Sequence, residues 1–284
     1  MKCLILFLGL LLPLLGLARQ VQTLALPESP RIIGMAGAFV AVADDPTAGF
    51  LNPSGLRTLT QVGYDLFYGS VTHAGPDQMG VALSNPGSDK GQAFGMGMWT
   101  QGWTEKRQPV YYVPYTGTSL DVTSTTHFGL VMRLPYVSSN IAGVSGGWKT
   151  IGDVTFLQTF ESFRAGASIE RAFGGGSDLV PRRLRVGGAF LSPSSGVVIA
   201  YEWRGNETGK NFNFHYGTSH YGAEVPLGGY GIVRGGYIAG AQHRIALGAA
   251  VGNMKAGMRV EGGWELPATK HGETRWVLGI GYRI

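Results

Sequence analysis

The residue types that most often perform catalysis or bind metals are few and scattered in this sequence. No two of the six histidines are four residues apart, the spacing of a metal pair on one helix face, and His215 and His220 would point to opposite faces of a strand. The glycine run Gly174-Gly175-Gly176 lacks the lysine of a phosphate loop. We therefore predict no catalytic residues, no metal, no cofactor and no enzymatic activity.

Charged side chains instead alternate with apolar ones over many short segments. Met258, Val260 and Trp264 share one parity, whereas Arg259 and Glu261 share the other. Because successive side chains of a β-strand point to opposite faces, such segments form strands with one apolar and one charged face. The charged-face residues that we single out are Arg133, Arg164, Glu170, Arg185, Glu202, Arg204, Arg244, Arg259, Glu261 and Arg283. Opposite charges among them can pair across neighbouring strands.

The first residues, Met1–Ala18, have the composition of an export signal. A basic residue precedes the apolar run Leu4–Leu17, and small residues precede a predicted cleavage after position 18. A retained membrane anchor is the alternative, but the run contains Pro13 and is shorter than the roughly 20 residues of a spanning helix. Cys3 is the only cysteine and would leave with the signal. We expect export to a bacterial outer membrane, with its lipid and its barrel assembly machinery as partners.

The alternation alone does not decide which face meets water, since a soluble β-sandwich buries its apolar face. Only 14% of the residues are charged, against about 25% in an average soluble protein, and 46 residues are glycine. With the export signal, this composition favours an apolar face towards lipid. We predict an all-β fold, a closed antiparallel transmembrane β-barrel of about 14 strands (12–14), whose charged face lines the lumen.

Thirteen strand-like segments are separated by turns rich in glycine and proline, and a weak fourteenth candidate covers residues 151–160. The thirteen lie near 61–71, 78–85, 92–103, 120–134, 141–149, 162–173, 183–192, 196–204, 211–225, 229–239, 243–251, 255–266 and 273–284. We interpret the polar, proline-containing stretch Thr104–Leu120 as an extracellular loop. The apolar segment Trp276–Ile284 should pair with the first strand near Gln61–Val71, since it would otherwise expose an unpaired edge.

One stretch between the signal and the first strand resembles a known family. Residues 34–56 read GMAGAFVAVADDPTAGFLNPSGL. They resemble the N-terminal signature of the FadL-like outer-membrane barrels, especially the PorV/PorQ branch, with a glycine-rich start, an Ala-Asp-Asp sequence and an Asn-Pro-Ala-type motif before strand one. This sequence departs from it at Ala36 and Ser54. The matching motif residues are Gly34, Gly37, Asp44, Asp45, Asn52 and Pro53.

The resemblance implies a 14-stranded barrel whose N-terminal segment folds back into the lumen as a hatch. The chain then divides into a signal peptide (1–18), a hatch or plug (19–58) and the barrel (59–284). Inside a barrel, Asp44 and Asp45 would need arginines or backbone donors as partners. The residues alone leave an alternative open, in which 34–43 form an amphipathic helix and Asp44-Asp45-Pro46 forms a surface turn.

Two functions follow as expectations from the resemblance. The first is a passive channel for hydrophobic small molecules, with capture in an apolar pocket, hatch movement and lateral release at a strand kink. The second is a PorV/PorQ-like docking barrel for secretion machinery or surface proteins. An apolar pocket beside the hatch would favour the channel, and a lumen filled by salt bridges would favour docking. The net charge of +5 without a long basic run gives no reason to expect nucleic acid.

Overall fold

The computed structural model describes most of the chain beyond its first residues. The predicted signal peptide lies outside the described residues, as do positions 19–27 of the predicted hatch. The described ranges are 28–71, 77–87, 91–102, 110–138, 147–174, 182–207, 214–240, 243–253, 257–268 and 273–284. Within these ranges no helix is long and apolar enough to cross a membrane.

The chain folds into a closed antiparallel β-barrel, as predicted. The strands are β1 (Gly63–Val71), β2 (Gln78–Asn85), β3 (Gln92–Gln101), β4 (Val110–Asp121), β5 (Thr126–Arg133), β6 (Tyr136–Ser138), β7 (Gly147–Trp148), β8 (Ile151–Thr159), β9 (Phe163–Phe173), β10 (Arg183–Leu191), β11 (Val198–Glu207), β12 (Phe214–Pro226), β13 (Gly231–Ala239), β14 (Arg244–Gly252), β15 (Gly257–Pro267) and β16 (Arg275–Arg283). The last strand closes the ring against the first, from Gly63 opposite Arg283 to Val71 opposite Arg275. The predicted pairing of the terminal strand is therefore confirmed.

Two strands of the barrel wall are interrupted, and each of them is divided into two of the segments given above. The barrel therefore has 14 strands. β4 pairs with β5 along Tyr115–Asp121 and then with the short β6 along Val110–Tyr112. The change of partner falls at Pro114 of β4 and Pro135 between β5 and β6. Because proline cannot donate a ladder hydrogen bond, a break in pairing is expected there. β6 continues β5, and β7 continues β8.

The predicted loop Thr104–Leu120 was wrong from Val110 onwards, because these residues form β4. Tyr111, Val113 and Tyr115 point inwards at every second position and are buried. The two-residue period of a strand is therefore present, although the composition of this stretch is polar. The predicted segment 120–134 is likewise divided by the turn between β4 and β5. The weak candidate 151–160 is a full strand, β8, whereas only Gly147–Trp148 of segment 141–149 is described as a strand.

The apolar faces of the strands point outwards and the charged faces inwards. Met132 and Ile199 are 49% and 56% exposed. Arg133 and Glu202, which lie on the opposite parity of the same two strands, are 1% and 0% exposed. This arrangement is the one predicted for a barrel in lipid, and it is opposite to that of a soluble sandwich. The short turns after β4, β8 and β12, together with the end of β16, lie at one end of the barrel, called here the turn end. The opposite end is called the loop end.

Residues 29–58, called here the inner segment, lie inside the ring. The segment contains α1 (Pro30–Gly34), α2 (Ala48–Leu51) and a 3₁₀ helix (Pro53–Thr58). Ser29 caps α1 by accepting a hydrogen bond from the Ile32 N–H, and a proline occupies the first turn. α1 contacts β13–β16, whereas α2 and the 3₁₀ helix contact β2–β5 and β8. Whether the segment moves as a hatch stays a prediction.

Candidate functional site: the barrel interior

Glycines of the inner segment allow its backbone to approach the barrel wall closely. A Cβ atom on Gly34 would lie 3.0 Å from the Cα atom of Gly248 in β14. Gly37 has a φ of +80° and lies against the guanidinium of Arg204 in β11, so a side chain there would be both strained and obstructed. These two positions explain why the motif needs glycine.

Arg31 is the hub of the polar contacts between the inner segment and the wall. Its Nη1 donates to Asp44 Oδ1 at 2.5 Å and to Asp45 Oδ2 at 3.2 Å. Its Nε and Nη2 donate to the two carboxylate oxygens of Glu224 in β12, at 2.9 and 3.1 Å. Burial alone would lower the pKa of Arg31, but the charges of Asp44, Glu224 and Asp45 hold that pKa well above its usual value. Arg31 therefore stays charged within the barrel.

Asp44 also contacts the wall directly. Arg164 in β9 places its Nη1 3.4 Å from Asp44 Oδ2 and donates to the Val42 carbonyl at 2.8 Å. Burial alone would raise the pKa of Asp44, but Arg31 and then Arg164 hold it below its usual value. Asp45 accepts from the Thr47 N–H at 2.8 Å. A wall arginine thus does meet the Asp-Asp pair, as expected, although its main partner is Arg31 of the segment itself.

The ion pairs continue along the wall from Glu224 to β1. Glu224 accepts from Arg234 at 2.7 Å, and Arg234 also donates to Glu261 at 2.8 Å. Arg259 then joins Glu261 at 2.5 Å and Asp65 at 2.6 Å. We call this connected series the charge ladder; its members are Asp65, Arg259, Glu261, Arg234, Glu224, Arg31, Asp44, Asp45 and Arg164. Removing one partner of a buried pair leaves an uncompensated charge and costs about 3–5 kcal/mol, so the ladder anchors the first half of the inner segment.

Glu202 in β11 forms a second anchor point. Its Oε2 accepts from the backbone N–H groups of Phe39 and Val40, at 2.9 and 2.7 Å. Arg185 and Arg204 both donate to the same carboxylate at 2.6 Å, and Arg185 reaches Glu170 in β9 at 3.2 Å. The wall carboxylate therefore receives donors from both the segment and its own neighbours.

The second half of the inner segment is held mainly by apolar contacts. The ring of Phe50 in α2 lies 5.3 Å from Tyr115, edge to face, 6.1 Å from Trp99 and 6.2 Å from Phe67, measured between ring centroids. We call these four residues the aromatic cluster. Trp99 Nε1 and the Tyr115 hydroxyl are buried without a hydrogen-bond partner among the described residues. Arg133 donates to the Phe50 carbonyl and pairs with Asp153.

The structure places the predicted motif and lumen residues as follows. Asn52 donates to the Val40 carbonyl at 2.5 Å, and Pro53 begins the 3₁₀ helix. Arg244 pairs with Glu265 at the loop end, apart from the ladder, and Arg283 lines a cavity at the turn end. The remaining predicted charges belong to the ladder or to the contacts of Glu202 and Phe50. Their role in a function stays a prediction.

Several residues of the interior were missed from the sequence. They are Arg31, Asp65, Asp153, Glu224, Arg234 and the aromatic cluster. Glu224 and Arg234 lie in segments already assigned as strands, at positions that their burial shows to be inward, so parity could have identified them. Arg31 lies outside any alternating segment, and no local pattern marks it.

An apolar groove of about 770 Å³ lies on the outer face of β10–β13. It forms where Gly188, Ala223 and Gly235 present little side chain between exposed aromatic residues such as Tyr201 and Tyr237. The groove faces away from the inner segment. It is therefore a feature of the lipid-facing surface and not the apolar lumen pocket that the sequence led us to expect.

The comparisons with known proteins identify a fold. No family model matches the sequence, and no curated protein matches it. Among solved structures, the CymD monoaromatic hydrocarbon channel has a TM-score of 0.65 at 13% identity, over 93% of this chain and 98% of that one. The Pseudomonas putida toluene transporter TodX has a TM-score of 0.63 at 13% identity, over 93% and 99%. A Pseudomonas aeruginosa FadL homologue has a TM-score of 0.64 at 9% identity, over 92% and 99%.

These identities are too low to carry over an activity, but the agreement covers nearly the whole of each chain. The protein therefore shares the fold of these solved structures, and its own barrel is a closed antiparallel ring of 14 strands.

Proposed function

We propose that the protein is a passive outer-membrane channel that admits hydrophobic small molecules. The observation that carries the proposal is the aromatic cluster, in which Phe50 of the inner segment fills an apolar site on the inner wall. The likeness in fold to proteins described as hydrocarbon or toluene channels supports it. The comparisons do not support the alternative, a docking barrel of the PorV/PorQ type, although the ion-paired lumen is the feature that we expected to favour it.

The inner segment is held unevenly, which indicates the part that moves. Residues 31–45 are anchored by the buried charge ladder and by Glu202. Beyond Pro46 the contacts are apolar or neutral, apart from the bond from Arg133 and two contacts of Arg57, with Asp121 at 2.9 Å and with the Pro86 carbonyl at 2.7 Å. Arg57 has one carboxylate partner among the described residues, whereas Arg31 has three, so the charged contacts are concentrated in the first half of the segment. Residues 46–58 are therefore the mobile part of the proposed hatch.

Displacement of Phe50 would open an apolar site on the wall. Phe67, Trp99 and Tyr115 would then face the lumen, and a hydrophobic solute would replace the buried ring. Burial of a phenylalanine side chain contributes about 1.5–3 kcal/mol, with about 0.5–1.5 kcal/mol more for each well-placed aromatic pair. A solute of similar size can recover much of this energy, so exchange between Phe50 and solute is feasible. The break in pairing at Pro114 and Pro135 lies close to this site in the wall and is our candidate for lateral release.

The proposal is tested by solute entry into Gram-negative cells that express the protein. N-phenyl-1-naphthylamine, a hydrophobic dye that an intact outer membrane excludes, should enter faster than in cells with an empty vector. Nitrocefin, a larger and polar solute, should enter no faster, because the inner segment blocks an aqueous path. Unchanged dye entry with a folded barrel in the outer membrane would refute the proposal, and equal acceleration of both solutes would indicate a nonspecific leak.

A further inference from the structure

A polar cavity of about 270 Å³ lies at the turn end of the barrel, beside the charge ladder. Ser192 and Gly196 of the turn between β10 and β11 form part of its edge. Its charged lining consists of Arg31, Asp44, Glu224, Arg234, Arg259 and Arg283. Arginines thus outnumber carboxylates on the cavity surface.

One of these arginine side chains has no partner in the part of the chain that the structure describes. Arg31, Arg234 and Arg259 each pair with a carboxylate of the ladder. The side chain of Arg283 makes no hydrogen bond or ion pair with any described residue. The register explains this isolation, because its cross-strand neighbours are Gly63 on β1 and Gly257 on β15, which offer no side chain. The cavity therefore contains a guanidinium that the fold leaves unpaired.

The surroundings of Arg283 do not neutralise it. The charges that act on it most strongly are Arg259 and Arg31, which repel it, followed by Asp45 and Asp44, which attract it from beyond ion-pair distance. Both aspartates are already engaged by Arg31. When the neighbouring Arg164, Asp45, Asp65 and Glu261 are counted with the cavity residues, positive and negative side chains are equal in number. The excess of positive charge is therefore confined to the cavity lining.

Arg259 adds a second unsatisfied donor on the same side. Its Nε and Nη2 bind Glu261 and Asp65, but its Nη1 is buried and has no acceptor in the described part of the chain. A buried donor without an acceptor is destabilising, and native proteins rarely contain one. Water could accept such a hydrogen bond but would not compensate the charge of Arg283. An oxoanion in the cavity would compensate that charge, and guanidinium groups bind oxoanions through paired hydrogen bonds.

We propose that this cavity is a binding site for one small oxoanion, a phosphate or a carboxylate group, bound by Arg283 with Arg259 behind it. The volume equals about nine water molecules, which is enough for such a group and some water. The inference does not depend on the proposed channel function, since it rests only on the cavity and its arginines.

The test is the thermal unfolding of the purified, folded barrel in detergent, followed by tryptophan fluorescence. Sodium phosphate, sodium acetate and sodium chloride are compared at pH 7 and equal ionic strength. We expect phosphate, acetate or both to raise the unfolding midpoint to a plateau, as a ligand that binds only the folded state does, and chloride to give no plateau. In Arg283→Gln the concentration for half the effect should rise at least about tenfold, the loss expected for a charged hydrogen bond.

Arg244→Gln is the matched control, because Arg244 lies at the loop end and pairs with Glu265. This variant should keep the wild-type half-saturation concentration, whatever its own midpoint. A plateau with phosphate alone assigns a phosphate site, and a plateau with acetate alone assigns a carboxylate site. Midpoints that follow ionic strength irrespective of the anion would overturn the proposal, as would equal half-saturation in Arg283→Gln. If that variant does not fold, Arg283→Lys replaces it and is expected to weaken binding, because lysine cannot form the paired contact.

Discussion

Replacing Arg31 by glutamine should destabilise the folded barrel by about 3 kcal/mol. Loss of one partner from a buried ion pair costs about 3–5 kcal/mol. The lower value applies here because each carboxylate keeps another partner: Glu224 keeps Arg234 at 2.7 Å, Asp44 keeps Arg164 at 3.4 Å, and Asp45 keeps the Thr47 N–H at 2.8 Å. The measurement is urea unfolding in detergent, followed by tryptophan fluorescence.

The matched control is Arg57→Gln at the other end of the inner segment. Arg57 also forms an ion pair, but Asp121 is its one carboxylate partner in the described part of the chain, whereas Arg31 has three. Arg31→Gln should therefore cost roughly three times as much as Arg57→Gln. Equal losses in the two variants would refute the view that the charge ladder anchors the segment.

The Arg31 effect should also depend on pH. The pKa of Asp44 is lowered in the folded protein, so its contribution to stability is complete above its unfolded pKa of about 3.9 and is lost as the pH falls through the lowered folded value. Arg31→Gln removes the largest charge that lowers this pKa. The difference in unfolding free energy between wild type and Arg31→Gln should therefore shrink below about pH 4. A difference that stays constant down to pH 3 would contradict this reasoning.

Three further substitutions test other parts of the structure by the same unfolding measurement. Val260→Arg should cost about 2–4 kcal/mol because it places a charge on the lipid face, whereas Val260→Leu should cost little; equal costs would contradict the outward assignment. Gly37→Ala should lower the unfolding free energy more than Gly228→Ala does. Both glycines have a positive φ, but only Gly37 also lies against the Arg204 side chain. The reverse order would contradict the close packing of Gly37 against the wall. Tyr115→Phe should be neutral or stabilising, because the hydroxyl that it removes is buried and unpaired; a loss of more than about 1 kcal/mol would show that the hydroxyl has a partner.

The barrel wall could be predicted from the sequence because strand parity is a local property. Each residue's face follows from its position along the strand, and one buried face fixes the register. The apolar strand Trp276–Ile284 also indicated closure against the first strand. β4 was missed because Pro114 and several tyrosines give it a loop-like composition. The structure tolerates Pro114 because the pairing partner of β4 changes there from β5 to β6.

The interior could be predicted only in part. Parity placed Arg259, Glu261 and Glu202 on the lumen side, but it could not say which charges meet. Arg31 and Glu224 are 193 residues apart and come together only once the ring has closed around the inner segment. The aromatic cluster likewise joins Phe50 of α2 to residues of β1, β3 and β4. Such contacts depend on the three-dimensional path of the segment, which no local period encodes.

The central claim is that the second half of the inner segment must move for a solute to pass. A disulfide between the segment and the wall tests it directly. Ser54 and Thr155 have hydroxyl oxygens 3.3 Å apart, so Ser54→Cys with Thr155→Cys should form a bond in the oxidising envelope. The matched control is Thr126→Cys with Gln158→Cys, which joins register partners of β5 and β8 without touching the segment.

The measurement is the entry of N-phenyl-1-naphthylamine into cells that carry either cysteine pair, before and after addition of a reductant. With the Ser54–Thr155 bond formed, dye entry should fall to the rate of empty-vector cells, and reduction should restore it. The control pair should show the wild-type rate in both states. Undiminished entry through the oxidised Ser54–Thr155 barrel would contradict the account, because a solute would then pass while the inner segment is fixed to the wall.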